Sequence, residues 1–297
     1  MTCAVSAILP TWNGEAMLRR CLPSVCAALS AAGGEVVVIE NGSTDGSLEL
    51  LRREFPGVRV LRNERNEGFT RAINQGLREA RGRRLLLLNN DVVLTEAALR
   101  GLLEFMDRPE HARVGAVSPR LVGQDGRRQQ SCMSFPTLGS AILDDFQVHR
   151  LWPGNPVRRR DPLVRWDYRD TAAVDHAMAA CLLVRREAAE QAGPLDERMR
   201  ILRSDLDWSW AMARAGWTTY YCYEVSVVHL GSHTIKRPDR ALRIRMYLDN
   251  YLYYRKHFGW RAWPMLVPLG VRAVVARLRF PARSPQSPPG RFPADLP

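Results

Sequence analysis

The chain has 297 residues, 46% hydrophobic and 25% charged, which suits one large or two small globular domains and excludes a disordered chain or a many-spanning membrane protein. Its net charge of +12 is concentrated: from Lys236 onward thirteen cations stand against three acids. That asymmetry points to an anionic partner, either a phospholipid surface or a nucleic acid.

In chain order, Val5 to Leu9 reads as a short apolar strand, and Leu18, Cys21, Leu22, Val25 and Leu29 then recur at helical spacing. Glu35 to Glu40 is a buried strand that runs into the turn Asn41-Gly42-Ser43, and Leu48, Leu51 and Phe55 mark a short helix. Val58 to Leu61 is a third strand, Thr70 to Ala80 a helix, and Arg84 to Leu88 a fourth strand. Leu99, Leu102, Leu103 and Met106 belong to a helix capped by Thr95. Strands alternating with helices predict a mostly parallel sheet covered on both faces.

Residues 124–174 are rich in Arg, Pro and Gly and predict an irregular segment containing the basic run Arg158-Arg159-Arg160. A strand at Ala179 to Val184, a helix from Asp205 to Ala215 and a strand at Val225 to Val228 follow. From Leu242 the pattern is helical, with Ile244, Tyr247, Leu248, Tyr251 and Leu252 on one face. The tail beyond Arg283 is Pro-rich and predicts disorder. The domain expectation is 1–235 catalytic, 236–283 a basic helical region, and 284–297 a disordered tail.

Six scattered cysteines without a Cys-x-x-Cys pair, and no signal peptide before the first apolar segment, predict a reduced, cytoplasmic chain. The longest weakly polar stretch, between Arg261 and Arg272, is far short of the roughly 20 apolar residues a bilayer crossing needs, so no transmembrane helix is expected.

In an open parallel sheet, ligands bind beyond the C-terminal strand ends. Thr11 and Asn13 follow the first strand here, Glu40, Asn41 and Asp45 the second, and Asn89, Asn90 and Asp91 the fourth. Asp91 emerges after four leucines and suits a divalent cation bridging to a diphosphate, or else simple turn chemistry. Asp205 opens an amphipathic helix and reads either as a general base or as an acid complementing the helix dipole. His229 ends an apolar strand, as a metal ligand or a hydrogen-bonded structural residue.

Together these segments resemble glycosyltransferase family 2. Val5-Ser6-Ala7-Ile8-Leu9-Pro10-Thr11-Trp12-Asn13 is similar to the family's first strand and its Pro-Thr-Tyr-Asn ending, and Glu40-Asn41-Gly42-Ser43-Thr44-Asp45-Gly46-Ser47 to its nucleotide-binding turn. Asn66-Glu67-Gly68-Phe69, Arg71 and Asn74-Gln75-Gly76 resemble the next family segment. Leu88-Asn89-Asn90-Asp91 stands where the family carries an Asp-x-Asp-type metal motif, and Ser204-Asp205-Leu206-Asp207 where it carries a Glu-Asp base motif.

The resemblance implies an α/β GT-A fold, Rossmann-like, with a helical basic C-terminal extension. It also implies an inverting transfer from a nucleotide-diphosphate sugar. By resemblance Thr11, Glu40 and Arg71 contact base and ribose, with Asn13, Asn41, Asp45 and Asn74 in the same nucleotide-binding segments. Asn90 lies by the ribose or diphosphate, Asp91 and His229 hold Mg or Mn, and Asp205 is the base.

Asn89-Asn90-Asp91 together with Lys256-His257-Phe258-Gly259 resembles bacterial rhamnosyltransferases of cell-surface polysaccharide synthesis, which implies dTDP-L-rhamnose as donor, with UDP-sugars as the alternative. The implied acceptor is polyprenyl-linked or a glycan, met by an enzyme peripheral on the inner face of the plasma membrane. Trp263 to Phe280 reads as an interfacial helix at an anionic membrane surface, or as a final helix with a solvated basic face.

Three positions depart from the family pattern: Glu40 replaces Asp, Asn89 and Asn90 remove a negative charge, and Ser204 replaces the Glu before the base. Those departures raise the option of an inactive sugar-nucleotide binder. Nucleotidyl transfer is disfavoured because no Gly-rich basic phosphate loop follows the first strand. A nucleic-acid partner is disfavoured because the cations lack any nucleic-acid-binding motif.

Overall fold

A computed structural model describes residues 3–146, 148, 152, 154–164, 166–231 and 240–279. The first half alternates regularly. β1 (Val5–Thr11) leads to α1 (Glu15–Ala31), β2 (Glu35–Asn41) to α2 (Ser47–Glu54), and β3 (Arg59–Asn63) to α3 (Phe69–Glu79). β4 (Arg84–Leu88) and the two-residue β5 (Val92–Val93) precede α4 (Glu96–Asp107), whose N-cap Thr95 accepts from Ala98 N, as the sequence predicts.

β6 (Val114–Val122), β7 (Cys132–Met133), α5 (Leu138–Asp145), α6 (Pro156–Arg160), β8 (Ala172–Val174), β9 (His176–Ala177) and β10 (Cys181–Arg185) follow. The chain then runs through α7 (Arg186–Ala192), α8 (Ser204–Arg214), β11 (Thr218–His229), α9 (Arg240–Phe258) and α10 (Leu266–Arg279).

The main sheet has the order β3-β2-β1-β4-β10-β6-β11-β5, with β8 added on β11. β3, β2, β1 and β4 pair in parallel. β10 runs antiparallel between β4 and β6, and β11 returns parallel to β6, so the dominant direction is shared across the sheet. Alternation along β1 sends Val5, Ala7 and Leu9 to one face, packed with α1 and α4, and Ile8 to the other, packed with α3 and α8. With both faces covered, β2 and β4 are almost continuously apolar, as the sequence predicts.

Three expectations are corrected. The 124–174 segment is not irregular throughout: it contains β7, α5, α6 and β8, with α5 opened by a capping box between Thr137 and Ser140. β6 is a nine-residue strand that Gly115 and Pro119 disguise, and β11 starts at Thr218, its register against β6 shifting between Cys222 and Ser226. Finally, α9 does not bury the face of Ile244, Tyr247, Leu248, Tyr251 and Leu252, which is only half covered. It fully buries Asp249, Tyr253 and Tyr254, because it docks through polar and aromatic contacts.

α9 joins Met199 and Leu206 in a third apolar cluster completed by Ala262 and Met265. The expected tail at 284–297 and the boundary at 235/236, with Lys236 and Arg237, lie outside the described residues.

Candidate active site

The C-terminal ends of β1, β2, β4 and β11 and the start of β10 share one rim of the sheet. At β1, Thr11 is buried and its Oγ1 accepts from Asn90 Nδ2 at 3.0 Å. Gly14 closes this corner: a Cβ there would lie 2.4 Å from Asn90 Nδ2 and 2.6 Å from Thr11 Oγ1. Asn13 adopts φ 48°, an uncommon conformation for a side-chain-bearing residue, and is held in it by Ser43 and Thr44: its N–H donates to Ser43 Oγ and its Oδ1 accepts from Thr44 N at 2.7 Å.

Glu40 is buried at the end of β2, and its Oε1 accepts from Ser43 N at 2.6 Å. Gly42, at φ +71°, lets that turn pass against the backbone of Arg65, where a Cβ would be 2.5 Å away. Three neighbouring side chains are occupied internally. Asn41 donates to Asn66 and Gly68 and accepts from Asn63 and Glu67. Asp45 accepts from Ser47 and from Glu15 N, fastening α1 and α2 together. Asn74 bonds both the N–H and the C=O of Leu195. They shape the cleft walls. Arg71 is half exposed and paired with Glu67 at 3.1 Å.

Asp91 and His229 meet because β11 pairs with β5 and Leu230 N donates to Asp91 O. His229 Nε2 stands 3.3 Å from Asp91 Oδ1. Both Asp91 oxygens and His229 Nε2 are buried without a hydrogen-bond partner, and orphaned buried acceptors are costly unless something else satisfies them. Gln129 accounts for the histidine: its Oε1 lies 2.6 Å from His229 Nδ1 while its Nε2 donates to His229 O at 2.8 Å. Gln129 Oε1 can only accept, so Nδ1 carries a proton, and in the neutral ring Nε2 presents a lone pair towards Asp91. A carboxylate and a bare imidazole nitrogen aimed at one point fit a divalent cation. They are a two-residue set, since among the described residues no group of three or more His, Cys, Asp or Glu is placed to hold a metal. Gln129 escapes sequence reading because nothing local marks it.

Asp205 sits on the same rim, on α8. Asn89 N donates to Ala180 O, and Ala179 N approaches Asp205 Oδ2 at 3.4 Å, so the strip joining β9 to β10 lies between the Asp91 turn and Asp205. Asp205 is part exposed, with a side-chain accessibility of 24%. Ser204 beside it is buried and its Oγ lies 2.8 Å from Thr70 Oγ1, whose one proton goes to the Met199 carbonyl, joining the start of α8 to the start of α3.

Asp207, two residues on, is closed to ligands: Lys256 Nζ reaches its Oδ2 at 2.8 Å and His257 Nε2 its Oδ1 at 2.8 Å. Lys256 also reaches Asp196 at 3.0 Å, and Arg198, then Lys256, hold the Asp196 carboxyl well below the usual range against the opposing effect of burial. The loop before α8 is tied to the same helix. Asp249 accepts from Ile201 N, Leu202 N and Arg245, and Arg203, in a left-handed conformation at φ 70°, donates to Asn250. Lys256 and His257 thus act as a strut that sets the orientation of α8.

The doubly covered, mostly parallel sheet has the GT-A architecture, and its rim carries a carboxylate–imidazole pair with a second carboxylate nearby. The glycosyl transferase family 2 model matches residues 6–193, and the chain belongs to that family, whose members invert configuration.

Over 287 residues the chain is 28% identical to the N-acetylglucosaminyl-diphospho-decaprenol L-rhamnosyltransferase of Mycobacterium tuberculosis, covering 89% of each chain. It is 27% identical over 269 residues to the O-antigen biosynthesis protein RfbC of Myxococcus xanthus, covering 89% of this chain and 20% of that one. Among solved structures, it superposes on the mannosyltransferase PcManGT from Pyrobaculum calidifontis in complex with GDP-Man and Mn2+, with TM-score 0.58, 18% identity, and 96% and 77% of the two chains covered. It also superposes on GalNAc-T7 with UDP, GalNAc and Mn2+, with TM-score 0.58, 16% identity, and 86% and 50% covered.

Proposed function

We propose that this glycosyltransferase moves L-rhamnose from dTDP-L-rhamnose to a polyprenyl-diphosphate-linked acceptor at an anionic membrane surface, with inversion, using Asp205 as base. The observation that carries the reading is the orphaned Asp91–His229 pair on the same rim as a part-exposed Asp205. The name of the mycobacterial relative supports the donor sugar and the lipid-linked acceptor.

Thr11, Glu40 and Arg71 would receive the nucleoside. Ser43 N holds Glu40 Oε1, which leaves Oε2 as the oxygen for a base N–H. Asn90, fixed to Thr11, would lie along the ribose and diphosphate. Asp91 and His229 would hold Mg or Mn, which when bound supplies charge neutralisation for the departing diphosphate. Asp205 would take the proton of the acceptor hydroxyl as its oxygen attacks the anomeric carbon from the face opposite the leaving group. Asp207, saturated by Lys256 and His257, is not available for that work.

The apolar exposure of the C-terminal region supports the membrane. Trp260, Trp263, Val267, Val271 and Val274 recur every three to four residues and are 53 to 71% exposed, beside the exposed Arg261. Tryptophans on the 3-10 turn Gly259–Met265, followed by aliphatic residues at helical spacing along α10, suit burial at the headgroup boundary. Among the described residues no helix is long and apolar enough to cross a bilayer.

The test is a thermal-shift panel of nucleotide sugars with Mn2+, since a ligand at about 100 times its Kd adds roughly 2.7 kcal/mol of stability. dTDP-L-rhamnose is expected to give the largest shift. A larger shift with a UDP-sugar would overturn the donor assignment.

A further inference from the structure

His176, on β9, is a fully buried histidine that the mechanism above does not use. Its Nε2 faces Asp205 Oδ2 at 3.7 Å, and its Nδ1 lies 2.9 Å from Ser209 Oγ, one turn along α8 from Asp205. The Ser209 hydroxyl has one proton, and it donates that proton to the carbonyl of Asp205 at 3.0 Å. Both Ser209 contacts hold together only if the imidazole donates at Nδ1. Nε2 then carries a lone pair pointed at the carboxylate, the reverse of the arrangement in which a histidine N–H orients an acid.

From this geometry we propose that His176 is a positioning residue for the base: it accepts, at Nε2, a hydrogen bond from the Asp205 carboxyl once that carboxyl has taken the acceptor's proton. The inference rests on the reading of Asp205 as the base. The balance is simple. The acceptor oxygen forms the new bond to the anomeric carbon, and the bond from that carbon to the diphosphate oxygen breaks with its electron pair leaving on the diphosphate. The proton passes to Asp205, whose Oδ2 closes from 3.7 Å to hydrogen-bond distance of Nε2 while the carboxyl carries it, and returns to solvent after product leaves. Before the reaction a lone pair facing a carboxylate stabilises nothing. After it, the pair has gained a hydrogen bond, so His176 strengthens Asp205 as a base at the moment of transfer.

The surroundings agree. Burial pushes the His176 imidazole down, Asp205 pulls it back up, and Arg203 pushes it further down, which keeps it neutral and its lone pair available. On the adjoining strands the titratable groups of the same cluster, Cys132 of β7 and Tyr221 of β11, are pushed up to about 12 by burial and stay neutral. Asp205 and Arg203 are thus the charges that act on the ring.

The test uses the full chain with dTDP-L-rhamnose, Mn2+ and a polyprenyl-diphosphate-linked acceptor, in wild type, His176→Gln, Ser209→Ala and Asp205→Asn. His176→Gln is expected to lower kcat about 10- to 100-fold with donor affinity unchanged, and to move the acidic limb of the kcat profile to lower pH as Asp205 loses its proton-sharing partner. Ser209→Ala, which keeps the ring but frees its tautomer, is expected to move the limb the same way with a smaller loss. Nitrogen NMR of histidine-labelled protein, independent of activity, is expected to show His176 protonated at Nδ1 and bare at Nε2. An Nε2-protonated ring, or an unmoved acidic limb in His176→Gln that still binds donor, overturns the proposal while leaving Asp205 as base. Undiminished transfer by Asp205→Asn overturns both.

Discussion

Replacing Lys256 by Ala should test how α9 controls α8. Lys256 Nζ neutralises Asp207 at 2.8 Å and Asp196 at 3.0 Å. Asp207 is 5% exposed, so its charge depends on its partners. Removing one partner of a fully buried pair costs about 3–5 kcal/mol. Two features reduce that here: the Lys256 side chain is 38% exposed, and His257 still reaches Asp207 Oδ1. The expected loss is about 2 kcal/mol, or a fall in Tm of about 3 °C for a chain of this length.

Urea unfolding of wild type, Lys256→Ala, Asp207→Asn and the double variant gives the coupling directly, expected at 1 kcal/mol or more. Because α8 carries Asp205, kcat should fall more than donor affinity. A stability change under about 0.5 kcal/mol with unchanged kcat would refute the strut.

Gln129→Leu should weaken Mn2+ binding about 10- to 100-fold by freeing the His229 tautomer, measured calorimetrically with the nucleoside diphosphate present; unchanged affinity would separate Gln129 from the metal site. Asp196 has a folded pKa depressed mainly by Arg198, so its contribution to stability is complete above the ordinary carboxylate value near 3.9 and is lost as pH falls through the lower, folded value. Unfolding from about pH 5 downward should accordingly lose less stability on acidification in Asp196→Asn than in wild type, and parallel curves would contradict this. Replacing Trp260 and Trp263 with Ser should reduce co-sedimentation with vesicles containing anionic lipid at least several-fold with Tm unchanged, because both indoles are already exposed.

Much of this architecture was legible locally. The four leucines before Asn89, the valines of β2 and the Thr95 cap each carry their structural meaning in a few consecutive residues, and the sequence places all three. β6 hid because Pro119 and Gly115 interrupt its pattern, although the strand is flanked on both sides, with β10 pairing at Ala116 and Val117 and β11 at Pro119. The site divides the same way. Asp91, His229 and Asp205 stand at element ends, where a polar residue after an apolar run is conspicuous. Gln129 and His176 act through partners 100 and 29 residues away, and only the folded chain shows them as parts of a site; Lys256 stands in a resembling segment, but its partner 49 residues away is visible only once folded. Asn41, Asp45 and Asn74 lie in the resembling motifs yet use their side chains on internal bonds, because a tight turn near a ligand also needs fastening.

Single-turnover transfer by Asp205→Asn carrying bound donor and Mn2+ tests the role of Asp205 most directly. Donor binding is expected within about twofold of wild type and transfer slowed at least about a thousandfold, since the amide cannot take the acceptor's proton. Transfer at the wild-type rate from that loaded variant would contradict that role.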